Sequence, residues 1–362
     1  MISGNKGEWS ELYAFFKLLA DGKIYGADEN INLVEEVCYA IIKILREESN
    51  SNYEYLVDRY VSIIDSEKNE EIIKISADEF KKNAKLLLSK IKSQKSSTGA
   101  FSIPTIEEFM KKTKVNHPSA PVSKKADIRL MLHDPSRGNP LLGFSIKSQL
   151  GANSTLLNAG GNSTNFIFEI KDKKFSQKEI NEINGIETKT KIKDRLAKIK
   201  SLGGTFNFYD LANPIFRSNL EIIDTNFPKI MSEVIYDYYL NKTKDMSDLI
   251  GHLETNNPCK IKNHLKSQFY KIKLENFLTA IALGMVPGKM WSNNYDASGG
   301  YIIVKEDGNL VCYHLFNLEK FKEYLVNYTY LETPSSTRHG FGKIYEQTGK
   351  FFFNLNLQIR FH

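Results

Sequence analysis

The chain has 362 residues, of which 41% are hydrophobic and 25% are charged, with a formal net charge of +6. This is the composition of an ordinary globular protein with a sizeable core, and its mildly basic balance permits a nucleic-acid partner without requiring one. The three cysteines are far apart and odd in number, which argues against disulfides and structural zinc. No apolar run approaches the length of a membrane span and the N-terminus lacks an apolar signal segment, so we expect no membrane partner and a cytoplasmic location.

The first hundred residues are predicted to form a helical N-terminal region. Apolar residues at helical spacing predict helices over residues 8–20, 32–46 and 53–64. A capping box that starts at Ser76 predicts a further helix to about Ile91, and Thr105 opens another. The small and polar segment at residues 92–99 is the best candidate for a linker.

From about Ala126 the pattern changes to strands separated by turns and helices. A β-hairpin is predicted, with strands at residues 126–133 and 141–149 joined by a turn at 134–140 that is dense in turn-forming residues. Further strands are predicted at residues 165–170, 204–208, 301–305, 311–315 and 350–361, and helices at 177–183, 188–201, 227–240 and 271–283. We therefore expect an α/β fold in which a mixed β-sheet is flanked by helices.

Asp127 and Lys147 stand at the two open ends of this predicted hairpin. If the hairpin is symmetric about Arg137, the two residues are directly opposed and point to the same face of the sheet. The carboxylate could then ligate a divalent metal while the ammonium meets a phosphate, as in a metal-dependent nuclease. An ordinary cross-strand ion pair is the alternative interpretation, and it contributes roughly a few tenths of a kcal/mol.

Phosphodiester hydrolysis requires an activated water and compensation of the charge that develops at phosphorus. Mg²⁺ suits this chemistry because it prefers oxygen ligands and keeps several waters. Asp127 is the predicted metal ligand, and the backbone carbonyl of Ile146 could supply a second oxygen. Lys147 would lie beside the scissile phosphate, and Gln149 shares its face of the strand and could touch the same water or phosphate.

A second carboxylate is expected, and the first predicted helix offers two. Glu8 and Glu11 are one helical turn apart and share one face. Glu8 also suits the first turn of a helix, where a carboxylate is favoured by the helix dipole. A solvent-facing glutamate is the alternative interpretation for either residue.

These residues carry a resemblance to a known family. Asp127 followed by Ser145-Ile146-Lys147 resembles the PD-(D/E)XK nuclease motif. The wider pattern is similar to the HpaII-type family of type II restriction endonucleases. The segments that carry this similarity lie at the start, middle and end of the chain, at residues 4–11, 143–151, 155–158, 164–166, 336–340 and 355–361. Ser145 is a departure, because the motif usually has Asp or Glu there.

The resemblance implies a restriction-endonuclease-like core and Mg²⁺-dependent cleavage of double-stranded DNA at a short site. It implies that a glutamate of the first helix serves near the metal, and we assign this role to Glu11, which follows Gly7 by four residues. If it extends to specificity, the site is CCGG, and a companion DNA methyltransferase acts on the same site. A palindromic site implies either a homodimer or successive nicking by a monomer.

Two other functions remain open at this point. A serine in place of the acidic residue of the motif, as at Ser145, is also expected in a DNA-binding module that has lost catalysis. A structure-selective nuclease that acts on DNA junctions would share the motif as well. Ala212-Asn213-Pro214 is similar to a methyltransferase loop but lacks its second proline, so we interpret it as a turn. The lysines between residues 81 and 95 are interpreted as the solvated face of a helix, with a DNA-facing role as the alternative.

Two polar loops are candidates for DNA recognition, because amides, hydroxyls and arginine suit phosphates and base edges. The residues are Asn158, Ser163, Thr164 and Asn165 in the first loop, and Arg338 and His339 in the second. Plain solvated loops are the alternative. The expected organisation is a helical N-terminal region at residues 1–100 that contributes a helix to the catalytic face, a catalytic α/β core at 101–215, and an α+β region for DNA recognition at 216–362.

Overall fold

A computed structural model of the chain describes residues 1–48, 51–95, 99–119 and 126–362. The chain forms two compact units, one from residues 1–154 and 295–324 and the other from residues 155–294 and 325–362. Each unit is therefore built from two separate stretches of sequence, whereas the sequence predicted three consecutive regions.

Twelve helices are seen in the described part of the chain. They are α1 (Lys6–Asp21), α2 (Ala77–Ser93), α3 (Pro104–Lys112), α4 (Gln177–Asn184), α5 (Lys191–Ser201), α6 (Pro214–Ile223), α7 (Phe227–Asn241), α8 (Met246–Asn256), α9 (His264–Ser267), α10 (Phe269–Leu283), α11 (Leu318–Asn327) and α12 (Ser336–His339). No helix among the described residues is long and apolar enough to cross a bilayer.

The described strands number eighteen. They are β1 (Ser3–Gly4), β2 (Lys23–Ala27), β3 (Leu33–Glu48), β4 (Ser51–Leu56), β5 (Tyr60–Asp65), β6 (Glu70–Ser76), β7 (Phe101–Ser102), β8 (Ile128–Leu132), β9 (Leu141–Ser148), β10 (Thr155–Leu157), β11 (Asn165–Lys171), β12 (Thr205–Leu211), β13 (Gly300–Val304), β14 (Leu310–His314), β15 (Thr329–Leu331), β16 (Ile344–Gln347), β17 (Lys350–Asn356) and β18 (Ile359–Phe361).

The prediction of a helical N-terminal region is wrong between α1 and α2. The segments predicted as helices at 32–46 and 53–64 are the strands β3, β4 and β5. Their apolar residues also fit a two-residue period, as buried Val61 and Ile63 show in β5. β3 is rich in β-branched residues, which lose side-chain freedom in a helix and pack well on a sheet. The linker predicted at 92–99 begins inside α2, and its residues 96–98 lie outside the described residues.

A nine-stranded mixed sheet forms the first unit, in the order β2-β14-β13-β9-β8-β3-β4-β5-β6. β13 runs parallel to β9 and β14 runs parallel to β2, while the other neighbours are antiparallel. This confirms the expected α/β class with a mixed sheet. Its restriction-endonuclease-like character stays a prediction.

Helix α1 lies in the core of this unit. Trp9, Leu12 and Phe16 are completely buried and belong to one cluster with Phe80 of α2 and Phe144 of β9. The Trp9 indole N–H also donates to the Phe101 carbonyl at 3.0 Å. A helix buried on most of its surface can hold its polar residues in fixed positions beside the sheet.

The second unit contains two smaller antiparallel sheets, β12-β11-β17-β16 and β10-β18-β15. Tyr236 of α7 packs on the first sheet through Phe168 and Phe206. The turn predicted at Asn213 begins α6: its side-chain oxygen accepts hydrogen bonds from the N–H groups of Ile215 and Phe216. Asn213 is thus a helix cap, which explains the Ala-Asn-Pro sequence without any methyltransferase chemistry.

Candidate active site

The predicted hairpin forms, but its register differs from the expected one. Ile128 pairs with Phe144 and Met131 pairs with Leu141, so Asp127 does not stand directly opposite Lys147. The reason lies in the turn, which Asn139 closes by donating its N–H to the Asp134 carbonyl at 2.9 Å. The hairpin is therefore centred on Ser136 instead of Arg137. Each residue of the first strand consequently lies opposite a residue two positions earlier than the one expected.

Asp127 is held at the start of β8 by the neighbouring strand. Its N–H donates to the Phe144 carbonyl at 2.8 Å. Because Phe144 also pairs with Ile128, both Asp127 and Ile128 lie opposite this one residue of β9. The carboxylate oxygen Oδ2 accepts the Ile146 N–H at 2.6 Å and the Ser145 hydroxyl at 3.0 Å. No hydrogen bond from the described residues reaches its other oxygen, Oδ1, which leaves that oxygen for an external ligand.

Ser145 therefore has a structural explanation. It is 2% exposed and donates to the carboxylate that an acidic residue at this position would repel. The hydroxyl fixes Asp127 without adding a second negative charge. The N–H and carbonyl of one strand residue point to the same side, so the Ile146 carbonyl faces the strand that carries Asp127.

Lys147 lies close to the aromatic ring of Tyr301. Its Nζ is 5.2 Å from the ring centre, and no ion pair to Lys147 is present in the described part of the chain. The alternative of an Asp127–Lys147 ion pair is therefore wrong. A cation held over a ring keeps its charge available to a phosphate.

Tyr301 itself was missed in the sequence. It is 1% exposed on β13, which runs parallel to β9 with Tyr301 beside Ser145. Burial raises the pKa of its phenol, and the negative charge of Asp127 raises it further, so the hydroxyl stays protonated. The only available signal was a strand pattern at residues 301–305, which does not reveal a partner strand about 150 residues away.

Helix α1 is joined to the catalytic strand through two serines. The Ser148 hydroxyl donates to the Ser10 hydroxyl at 2.8 Å, which places the first half of α1 against the end of β9. Glu8 closes the helix start, because its carboxylate accepts the Asn5 N–H while the Asn5 side chain accepts the Glu8 N–H. Glu11 follows Ser10 directly and is half-buried.

The oxygen donors of this site fit a magnesium ion only in part. Among the described residues, no group of three or more His, Cys, Asp or Glu side chains is placed to hold a metal. Asp127 Oδ1 and the Ile146 carbonyl are hard oxygen donors. A Mg²⁺ ion held by so few protein ligands keeps waters and takes substrate phosphate oxygens, which is its usual behaviour in phosphoryl-transfer sites.

The two predicted recognition loops meet in the second unit, although they lie far apart in sequence. The Asn165 amide donates to the His339 carbonyl at 3.0 Å, and the Asn356 amide donates to the Asn165 side-chain oxygen at 2.7 Å. A Cβ added at Gly161 would lie 2.7 Å from the same His339 carbonyl oxygen, so only glycine permits this approach. The four predicted catalytic residues, in contrast, all belong to the first unit.

The structure corrects the role of two recognition candidates. Thr164 is completely buried and Asn165 is 3% exposed, and both are hydrogen-bonded inside the loops, so neither side chain is exposed for a contact with DNA. They position the loops instead. Asn158 and Arg338 are exposed, and Ser163 and His339 are half-buried, so these four keep the predicted contact role.

Asn356 holds the first of these loops through Gly160 and through Asn165, the residue that contacts His339, and its loss should destabilise the protein. Asn356→Ala would leave the buried Asn165 oxygen without its donor, which typically costs about 1–3 kcal/mol of unfolding free energy. Urea denaturation measures this change, with Asn158→Ala as an exposed asparagine control that should shift stability by less than about 0.5 kcal/mol. Equal stabilities for the two variants would contradict the positioning role.

Comparison with known proteins identifies a family that the chain matches over nearly its whole length. The model of a family described as HpaII restriction endonuclease matches residues 5–361. The chain is 43% identical over 362 residues to the type II restriction enzyme HpaII of Haemophilus parainfluenzae, with 99% of each chain covered. No solved structure matches the chain.

Proposed function

This chain belongs to the HpaII restriction endonuclease family, and we propose that it cleaves double-stranded DNA at CCGG, with Mg²⁺ bound at Asp127 and with Lys147 at the scissile phosphate. As a member of this family it is a type II site-specific deoxyribonuclease. The relative's name supports the CCGG site, and the geometry around Asp127 supports the residue roles.

The single observation that carries the catalytic assignment is the arrangement of Asp127 and Lys147. The carboxylate is fixed by two donors on one oxygen, and the nearby ammonium has a ring contact but no acidic partner among the described residues. Both charges are thus preorganised and uncompensated, which is the arrangement that stabilises charge developing in a transition state. Structural ion pairs, by contrast, compensate each other.

Each residue then has a defined task. Asp127 Oδ1 and the Ile146 carbonyl would hold the metal, which when bound lowers the pKa of a water and offsets phosphate charge. Lys147 would orient the attacked phosphate and offset its developing charge. Gln149 is half-buried just after the end of β9, two residues beyond Lys147, and its backbone N–H donates to the Val304 carbonyl. Its side-chain amide would position the attacking water.

A plasmid digest tests the proposed function. The protein in Mg²⁺ should convert a plasmid into discrete fragments that end at every CCGG, and a duplex containing GGCC instead should stay intact. No cleavage would favour an inactive DNA-binding module, and cleavage restricted to branched DNA would favour a junction nuclease. Fragments that end at another sequence would overturn the CCGG assignment alone.

The palindromic site bears on partners. We propose a homodimer, because a two-fold site matches a two-fold protein, and a companion DNA methyltransferase that protects the same site. Duplexes methylated on the cytosines of CCGG should resist cleavage. Accumulation of nicked plasmid before linear product, at a rate proportional to enzyme concentration, would show instead that a monomer cuts one strand at a time.

Arg338 is the proposed base reader, because it is exposed at the end of α12 and arginine binds guanine O6 and N7 in bidentate fashion. Arg338→Ala should remove about 1–3 kcal/mol of discrimination between cognate and scrambled duplexes while non-specific affinity stays nearly unchanged. Arg338→Lys is the matched control for charge, and it should lose discrimination too because lysine lacks the fork. Binding measured at several salt concentrations checks this; an equal loss on both duplexes would make Arg338 a phosphate contact.

A further inference from the structure

We propose that a cleft in the second unit binds the phosphodiester backbone of duplex DNA next to the loop that carries Arg338. This inference rests on the proposed function and names a second contact for the same substrate. The cleft, here called the lysine cleft, has a volume of about 580 Å³ and is lined by residues 188–193, 238–239, 242, 244 and 330–337.

The first argument is charge. Five lysines line the cleft: Lys189, Lys191, Lys193, Lys242 and Lys244. Lys191 pairs with Glu187 at 2.8 Å, but the other four make no ion pair with any described residue. Glu332, the acidic residue among the lining residues, is itself paired with Arg360 at 2.9 Å. The Asp194 carboxylate offsets part of the charge of Lys193 and Lys242. Four ammonium groups without an ion pair around one concave surface still concentrate positive potential and favour a polyanion.

The second argument is the kind of polar group that accompanies the lysines. Hydroxyls of threonine, serine and tyrosine line the same cleft, and Nζ of Lys244 lies 4.8 Å from the ring centre of Tyr330. Lysines with side-chain hydroxyls are the usual donors to DNA phosphate oxygens. The Asp194 carboxylate accepts hydrogen bonds from Thr188 and Thr190, so the turn that carries Lys189 is already ordered.

The third argument is position. The lining residues Ser335, Ser336 and Thr337 lead directly into Arg338, and the Ser335 hydroxyl accepts the Arg338 N–H at 3.3 Å. The buried hydroxyl of Tyr239, another lining residue, donates to the Asn356 carbonyl at 3.1 Å. The cleft therefore shares its framework with both predicted recognition loops. A backbone held in the cleft would lie next to the base edges that Arg338 is proposed to read.

Salt dependence is the test, because each phosphate contact releases condensed counterions and contributes about 0.9 to the slope of log K against log salt. Two double variants remove cleft charge: Lys189→Gln with Lys193→Gln, and Lys242→Gln with Lys244→Gln. The matched control is Lys198→Gln with Lys200→Gln, which removes the same charge from exposed lysines of α5 that do not line the cleft. Affinities for cognate and scrambled duplexes are measured without Mg²⁺ at several salt concentrations.

Each cleft variant should weaken binding to both duplexes equally and reduce the salt slope by about two, while the control keeps the wild-type slope. Unchanged slopes in both cleft variants, or an equal reduction in the control, would overturn the proposal. AMP at millimolar concentration should not displace DNA from the protein. If AMP displaces DNA from the wild type but not from the cleft variants, the cleft is a nucleotide site instead. If the wild-type protein binds the cognate and scrambled duplexes equally, the proposed function is refuted. The salt slopes would still show whether the cleft binds phosphates.

Discussion

Replacing Asp127 by asparagine, or Lys147 by alanine, should each lower the rate of DNA cleavage by about 10²–10³-fold. Removal of one preorganised electrostatic partner typically has this effect on a transition state. Asp127→Asn keeps an acceptor for the Ser145 and Ile146 donors but loses the negative charge that attracts a metal. Lys147→Ala removes a cation that no described acidic residue compensates. Single-turnover cleavage of a duplex containing the site, in Mg²⁺, measures both effects.

Binding separates this outcome from simple unfolding. Cognate DNA affinity should largely survive Lys147→Ala, since the proposed recognition residues lie in the other unit. Lys74→Ala is the matched control, because Lys74 is an exposed lysine on a strand of the same sheet. Near wild-type cleavage by either the Asp127 or the Lys147 variant would contradict the assignment. A variant that loses binding and cleavage together would require a more conservative replacement, Lys147→Arg, with the same loss of rate expected.

Local sequence signals account for much of the candidate site. A turn rich in turn-forming residues between two apolar segments correctly predicted the hairpin that carries Asp127 and Lys147. The register was not predictable, because it depends on the hydrogen bond from Asn139 back to Asp134 rather than on symmetry. Asp127 stays on the face of Lys147 in spite of the shift, because its carboxylate accepts the hydroxyl of Ser145, and Ser145 and Lys147 alternate on one face of β9.

Features that depend on distant parts of the chain were not predictable. Strand β3 was mistaken for a helix because the spacing of its apolar residues fits both a helix and a strand. Pairing with its neighbours β2, β4 and β8 makes it a strand. The ring of Tyr301 reaches Lys147 only through a parallel pairing of distant segments. The recognition loops were identified separately by their composition. The sequence did not reveal that the Asn165 amide joins them or that Asn356 supports Asn165.

The second large effect is expected at Glu11. We propose that this residue supplies the negative charge that Ser145 lacks, so Glu11→Gln should raise the Mg²⁺ concentration for half-maximal cleavage or abolish cleavage. Even the outer partners of a metal ligand typically change metal affinity by about 10–100-fold. Ser148, which contacts Ser10, lies on the opposite face of β9 from Lys147, so Glu11 would reach the metal around the end of the hairpin. An effect on the Mg²⁺ requirement is therefore expected before an effect on the maximal rate.

Glu8→Gln is the matched control for this prediction. Glu8 lies one turn earlier on α1, and its carboxylate already accepts the Asn5 N–H at 2.6 Å as part of the capping box. The amide of glutamine can accept the same bond, so the Mg²⁺ requirement should stay near that of the wild type. Ser145→Ala provides the opposing test, because it removes one of the two donors to Asp127 Oδ2 and leaves the Ile146 N–H in place. If Ser145→Ala destroys cleavage while Glu11→Gln titrates with Mg²⁺ as the wild type does, the missing carboxylate is not replaced by Glu11, and the site operates through Asp127 as its acidic ligand.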